Sequence, residues 1–303
     1  MSARRVDIKV GFQCNNLCHF CVQGDKRDRF PDRPLPRILA DLRRARREGI
    51  DGVVFTGGEP TLHRGLLDAV AAARTLGFRG IQIQTNGRSA AYPDFCRRLK
   101  AAGATEFSPA LHGPDAKTHD GLTRAPGSFR QTVQGIRNAV ACGLSVITNS
   151  VVTSSNYRKL PALARLLVGL GVRQYQFAFI HIVGRAWENR SWIVPRKSDA
   201  MPFVRKGLDV GLRAGVRCYT EAIPYCLMKG YEACVAERII PDGPVVDAEE
   251  TLKSFRAYRQ AHGKAKRAEC RRCRWDPVCE GPWKEYPEIH GWDEFVPVRG
   301  RAR

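Results

Sequence analysis

The sequence predicts an α/β protein built on parallel strands. Three features predict it: short strand-like runs alternate with amphipathic helical segments, those helical segments end in glycine, and the alternation stops near Tyr219, where a cysteine- and aromatic-rich segment begins.

Strand candidates begin near Val6, Val53, Ile81, Glu106, Ser145 and Tyr175, with residues 216–219 as a candidate seventh. The helical segments stop at Gly49, Gly77, Gly103, Gly143, Gly171 and Gly215, where a left-handed residue ends a helix without strain. Six strand-then-helix units imply parallel strands joined by right-handed crossovers. Periodicity leaves two architectures open, a barrel and a doubly wound open sheet. Both place functional groups at the C-terminal ends of the strands. A core is expected over residues 1–215. Residues 216–298, with Trp275, Trp283, Tyr286, Trp292 and Phe295 and weak periodicity, are expected to form a small domain ordered by a metal centre. Residues 299–303 are expected to be a disordered basic tail.

Composition narrows the class. In 303 residues, 43% hydrophobic content supplies a sizeable core and argues against a disordered chain. No targeting segment follows the basic N-terminus, and no apolar run nears the roughly 20 residues of a membrane span. A cytoplasmic location without membrane contact is expected. There the eleven cysteines are read as ligands or buried thiols rather than disulfides, and their odd number agrees. The net charge of +20 raises nucleic-acid binding. Its densest run, Arg43-Arg44-Ala45-Arg46-Arg47, shares a helix with Ile38, Leu39 and Leu42 and reads as a solvated helix end. Polynucleotide binding is therefore a secondary expectation.

After the first strand, Cys14, Cys18 and Cys21 are spaced C-x3-C-x2-C. Three thiolates on one loop can ligate three irons of a cubane and leave the fourth iron open. Zinc and a redox pair are the alternatives. Zinc commonly takes four ligands, and His19, adjacent to Cys18, is poorly placed to complete them. Phe20, between the last two cysteines, is placed to shield a cluster. The second strand then ends in Thr56-Gly57-Gly58-Glu59-Pro60.

The cysteine triplet and the Gly-Gly-Glu strand end together resemble the radical S-adenosylmethionine superfamily, over roughly residues 6–200. The resemblance implies a partial (β/α)6 barrel of TIM type. It implies a [4Fe–4S] cluster on Cys14, Cys18 and Cys21, with S-adenosylmethionine chelating the fourth iron. Glu59, with backbone from Gly57 and Gly58, would hold the methionine ammonium. Asn86, Ser108 and Asn149, at later strand ends, are polar candidates for cofactor contact, and Arg124 for the cofactor carboxylate. Each also has a plain structural reading, as a turn residue or a satisfied core group. His112, followed by Gly113-Pro114, is expected at an exposed barrel mouth, as a proton carrier or a helix cap.

Near the C-terminus, Cys270, Cys273 and Cys279 are spaced C-x2-C-x5-C, with Cys226 upstream as a fourth ligand. This resembles the auxiliary-cluster extensions called SPASM and twitch domains. The cysteine count fits the shorter twitch type, with a probable second [4Fe–4S] cluster. A structural zinc is the rival. Cys218 or Cys234 is an alternative fourth ligand. Cys96 and Cys142 lie in helical patterns, as small buried hydrophobes.

The resemblance implies an enzyme reduced by flavodoxin or ferredoxin. It would cleave S-adenosylmethionine to a 5′-deoxyadenosyl radical that takes hydrogen from a substrate. A peptide or small-molecule natural-product precursor is favoured. The stretch before Cys14 is too short for the leader-binding domain of some peptide maturases, which weighs against the peptide version. RNA is the second substrate class. A zinc-stapled, basic nucleic-acid-binding protein is the non-enzymatic alternative.

Overall fold

The computed structural model describes residues 4–300. Seven strands follow one another across one sheet: β1 (Arg5–Gly11), β2 (Gly52–Gly57), β3 (Gly80–Thr85), β4 (Glu106–Pro109), β5 (Ser145–Val152), β6 (Gln174–Phe179) and β7 (Arg217–Glu221). Each pairs in parallel with the next. Helices cross over between them, as parallel neighbours require. No backbone ladder among the described residues joins the two ends of the sheet, so this is a partial barrel. All six helix-ending glycines have positive φ, in agreement with their expected role as stops.

The two faces of the sheet differ in chemistry. On one, Val6, Ile8, Phe55, Ile81, Ile83, Phe107, Tyr175 and Phe177 are buried. Helix Lys197–Arg213 packs on this face through its glycines. The Tyr175 hydroxyl donates to the Gly207 carbonyl at 2.6 Å, and a Cβ at Gly211 would run into that same hydroxyl. On the other face the register aligns polar side chains in rows. Lys9 lies beside Thr56, Gln82 beside Glu106, Gln84 beside Ser108, and Asn149 beside Gln176. Gln176 donates to Glu221 on β7 at 2.6 Å. An inner wall of this polarity is costly inside a dry core and suits a wet or ligand-filled lumen.

The segment after residue 216 shares the sheet. The expected boundary falls at the start of β7. Farther on, β8 (Val245–Val246) adds in parallel to the free edge of β1, and β9 (Thr251–Leu252) pairs antiparallel to β8. This addition covers an edge that would otherwise offer unpaired backbone groups. Short helical turns flank it: three 3₁₀ turns before β8, and after β9 two short α-helices, a π turn and one 3₁₀ turn. The end of the segment folds back onto β6: the Trp283 indole donates to the Phe179 carbonyl at 3.2 Å, and the Tyr286 hydroxyl accepts from the Lys197 backbone at 2.7 Å. Of the expected basic tail, residues 301–303 lie outside the described residues.

Helix packing through glycine makes a sharp test. Gly211→Ala is expected to cost about 1–3 kcal/mol, because the Tyr175 ring is locked by its own hydrogen bond and cannot give way. Gly121→Ala, where nothing lies within 4 Å of the added carbon, should be neutral or slightly stabilising. Equal melting temperatures for the two variants would contradict this account of the packing.

Candidate functional site

Residues 12–24 leave β1 as a loop with little regular structure, and several elements hold it in place. The Leu17 and His19 amides donate to the carbonyls of Thr123 and Leu122, at 2.9 and 3.0 Å. Arg185 donates its amide to the Cys21 carbonyl, and Asn189 its side chain to the His19 carbonyl. Arg27 reaches the Asn16 carbonyl at 3.1 Å. Arg88 bonds the Asn15 carbonyl and, at 2.9 Å, the Asn16 side chain. This tethering fixes the loop that carries Cys14, Cys18 and Cys21, all three of them free thiols.

The three thiols lie within electrostatic reach of one another. Burial pushes the Cys18 thiol up to about 12, with Cys21 and Cys14 adding to the shift. Burial also raises Cys14, against a lowering contact from the Asn16 amide at 3.4 Å. Desolvated thiols of this kind give up their protons when a metal takes their place. Among the described residues, no group of three His, Cys, Asp or Glu side chains is placed around a single ion. A cubane gives each thiolate its own iron, so its ligands need not converge on one point.

The Gly-Gly-Glu strand end lies directly against this loop. The Gly58 amide donates to the Gly11 carbonyl at 2.9 Å, and the Glu59 amide to Gln13 at 2.8 Å. A side chain at Gly57, where φ is 133°, would strike the Gly11 carbonyl, and one at Gly58 would strike Phe12. Glycine is required here because two backbones touch.

Glu59 lies at the same strand end, in a dense hydrogen-bond network. It is 3% exposed. One carboxylate oxygen accepts from the Thr61 amide (3.0 Å), the Thr61 hydroxyl (2.7 Å) and the Thr85 hydroxyl (2.6 Å); the other accepts from the Asn86 amide (2.6 Å). Three donors crowd one oxygen, while the other accepts a single hydrogen bond and keeps a lone pair. Glu59 therefore ties the ends of β2 and β3 together and retains one acceptor position.

The other expected contacts fall at the same end of the barrel. Asn86 donates to the Asn15 side chain at 2.6 Å and approaches the Cys14 sulfur at 4.0 Å. Ser108 and Asn149 lie on the polar face, and the Asn149 side-chain oxygen is buried without a partner. Arg124 is exposed at the end of helix Ala116–Thr123. Its φ of 52° is a left-handed conformation that glycine would hold without strain.

The expectation of an exposed His112 is corrected. It is 4% exposed, and its Nδ1 accepts from the Val151 amide at 3.2 Å. It stacks on His119 (5.6 Å) and meets Phe20 edge-on (4.7 Å). Burial, then the neighbouring His119, keeps it neutral well below the usual histidine range. The following helix is capped by Asp115 instead, whose side chain accepts from the Thr118 amide.

The second cysteine set comes together. Cys226, Cys270, Cys273 and Cys279 line one cavity with Trp292 and Phe295, around an empty space of about 390 Å³ that is partly open to solvent. Burial, then Cys279, Cys273 and Cys270, push the Cys226 thiol up to about 12. The Val298 amide donates to the Cys273 sulfur at 3.4 Å. The fully buried Lys197 amine has no hydrogen-bond partner; burial, then Lys264, pushes it well below the usual lysine range, with Cys226 among the groups that act in the opposite sense. Cys218 and Cys234 are not alternatives to Cys226. They are buried against each other under Tyr175, where each acts on the other's proton.

Sequence reasoning missed Arg88, Thr61, Thr85, Arg185 and Asn189. Arginine, threonine and asparagine are common in turns, and only the folded loop shows what they hold. The inner face was not legible either: in β5, Ser145, Ile147, Asn149 and Val151 are half-buried between fully buried neighbours that include Thr148 and Ser150, so polarity does not follow the alternation in burial.

Comparisons with known proteins agree with this geometry. The family model described as the radical SAM superfamily matches residues 8–167. A probable GTP 3′,8-cyclase from Saccharolobus islandicus is 32% identical over 179 residues, 58% of this chain and 57% of that protein. The chain thus spans little more than half the length of the curated relatives it matches. Among solved structures, Streptococcus suis SuiB bound to S-adenosylmethionine aligns with a TM-score of 0.67 at 15% identity, over 98% of this chain and 76% of that one. Native anSMEcpe with bound AdoMet and Cp18Cys peptide aligns at 0.65 and 15%, over 98% of this chain and 93% of that one.

Two expectations test the site. Glu59→Gln places an amide N–H₂ against donors, and is expected to lower stability by about 1–3 kcal/mol and impair metal loading on the adjacent loop. Unchanged unfolding and iron content would contradict the clasp. The second concerns pH. Burial depresses His119 to about 4, from an unfolded value near 6.5. The unfolded chain therefore takes up a proton first as pH falls. Stability is full above pH 6.5, declines between 6.5 and 4, and loses about 3 kcal/mol through this group. Denaturant titrations across that range should show the decline, with a shallower slope in His119→Gln. An identical slope in that variant would contradict the assignment.

Proposed function

Because the chain belongs to the radical SAM superfamily, we propose that it modifies a peptide or small natural-product precursor, and that Cys14, Cys18 and Cys21 are its catalytic cluster ligands. The observation that carries the reading is the meeting of three partly buried thiols with the Gly57-Gly58 backbone, on a loop tethered from five directions. The family's [4Fe–4S] cluster and S-adenosylmethionine fit this donor set: three soft thiolates, and no fourth thiol on the loop. When bound, the pair supplies a 5′-deoxyadenosyl radical that takes hydrogen from a substrate.

The chain's own residues supply position. Glu59 holds β2 against β3, and its oxygen that accepts only from Asn86, with the backbone of Gly57 and Gly58, would accept from the methionine ammonium. Arg124 keeps a strained backbone that a glycine would relieve, which supports a role for its guanidinium at the cofactor carboxylate. The orphaned Asn149 oxygen on the inner wall, with Ser108 and Asn86, is an acceptor in need of a polar ligand. Phe20 and the neutral His112 close the loop's inner side and exclude water.

Cys226, Cys270, Cys273 and Cys279 are proposed to hold a second [4Fe–4S] cluster of twitch type, in residues 216–298. Four thiolates with a cubane leave net negative charge, and the unpartnered Lys197 amine is a buried site for its compensation. Support for a peptide substrate comes from the neighbours crystallised with peptides. The thiol chemistry suits a reducing cytoplasm.

Anaerobic reconstitution tests the assignment. The wild type should carry about eight irons, and Cys14→Ala/Cys18→Ala/Cys21→Ala and Cys270→Ala/Cys273→Ala/Cys279→Ala about four each. Only the first variant should lose all 5′-deoxyadenosine formation with dithionite. A fully loaded wild type that forms none would overturn the reading.

A further inference from the structure

We propose that the outer surface of the first cysteine loop, walled by residues 184–192, is the docking site for a small acidic electron-transfer protein. The inference rests on the cluster assignment above and adds a surface to it.

The surface is continuous. Gly184 comes so close to the loop that an added Cβ would sit 2.7 Å from the Cys21 carbonyl. The Arg185 guanidinium donates to the Leu17 carbonyl at 3.3 Å. Trp192 meets His19 edge-on at 5.0 Å and donates its indole N–H to Asn189, which in turn holds the His19 carbonyl. Arg190 lies over the Trp187 ring at 4.1 Å. Leu17, Val22, Trp187 and Trp192 are all large, apolar and 39–46% exposed.

Two of these, Leu17 and Val22, flank cysteines of the triplet. A partner seated here lies a residue or two from the thiolates, and tunnelling rewards such proximity. The rim supplies Arg185 and Arg190 against one carboxylate, Glu188, on a chain of net charge +20. An apolar, aromatic centre with an arginine rim is the composition of a transient interface, and its charge calls for an acidic partner. Tryptophan and arginine are the side chains that dominate such contacts.

The test pairs two reductants. Reconstituted wild type and Arg190→Glu/Trp192→Ala are reduced anaerobically, once with photoreduced flavodoxin and once with dithionite, and bleaching of the visible absorbance is followed. The variant is expected to lose about tenfold or more in the flavodoxin-driven rate and to keep its dithionite rate within about twofold. Flavodoxin binding to the same proteins should weaken steeply with salt in the wild type and be weak throughout in the variant. Binding is read without any cluster, so a colourless protein would sink the cluster assignment while this surface is still judged. Equal flavodoxin affinity and rate in the two proteins would overturn the proposal. So would a variant that loses binding of a peptide substrate and keeps that of flavodoxin.

Discussion

The buried carboxylate of Glu59 is the constraint on which the site depends. A charge in a 3% exposed position is tolerated only where donors surround it, and four do. Those donors come from two strand ends. Satisfying the carboxylate therefore fixes the turn after β2 relative to the turn after β3. The first turn rests on the backbone of residues 11–13, and Asn86 in the second touches Asn15. The cysteine loop is thus positioned in part by the polar needs of Glu59, which is not one of its cysteines.

The same logic extends around the barrel mouth. Helix Ala116–Thr123 offers its last carbonyls to the loop, and these are groups a helix end leaves unpaired. The segment after β6 returns to the loop through Arg185 and Asn189. The cysteines are therefore held by elements up to 170 positions away in sequence. A loop with almost no regular structure is held in place because six of its carbonyls, those of Gln13, Asn15, Asn16, Leu17, His19 and Cys21, accept from donors outside it.

The two cysteine sets are organised differently. The first sits on a short loop against a glycine backbone, with its inner side shielded by Phe20. The second gathers three cysteines from residues 270–279 and one, Cys226, from farther upstream around one cavity, which Trp292 and Phe295 also line. The C-terminal segment that carries it also adds β8 to the edge of β1 and packs Trp283 and Tyr286 onto β6. A segment with few strands or helices of its own borrows order from the barrel at both of its ends.

From the sequence alone, the strand–helix alternation, the helix-ending glycines and both cysteine spacings could be read, because each is a local pattern set within one turn, strand or loop. Choosing Cys226 over Cys218 and Cys234 was not local, since it depends on which thiol reaches a cavity 44 positions later in the chain. The burial of His112, the clasp formed by Glu59 and the tethers from Arg88 and Asn189 were likewise decided by tertiary structure. Hydrogen-bond partners and desolvation are properties of a neighbourhood, and distant segments make that neighbourhood only once the chain has folded.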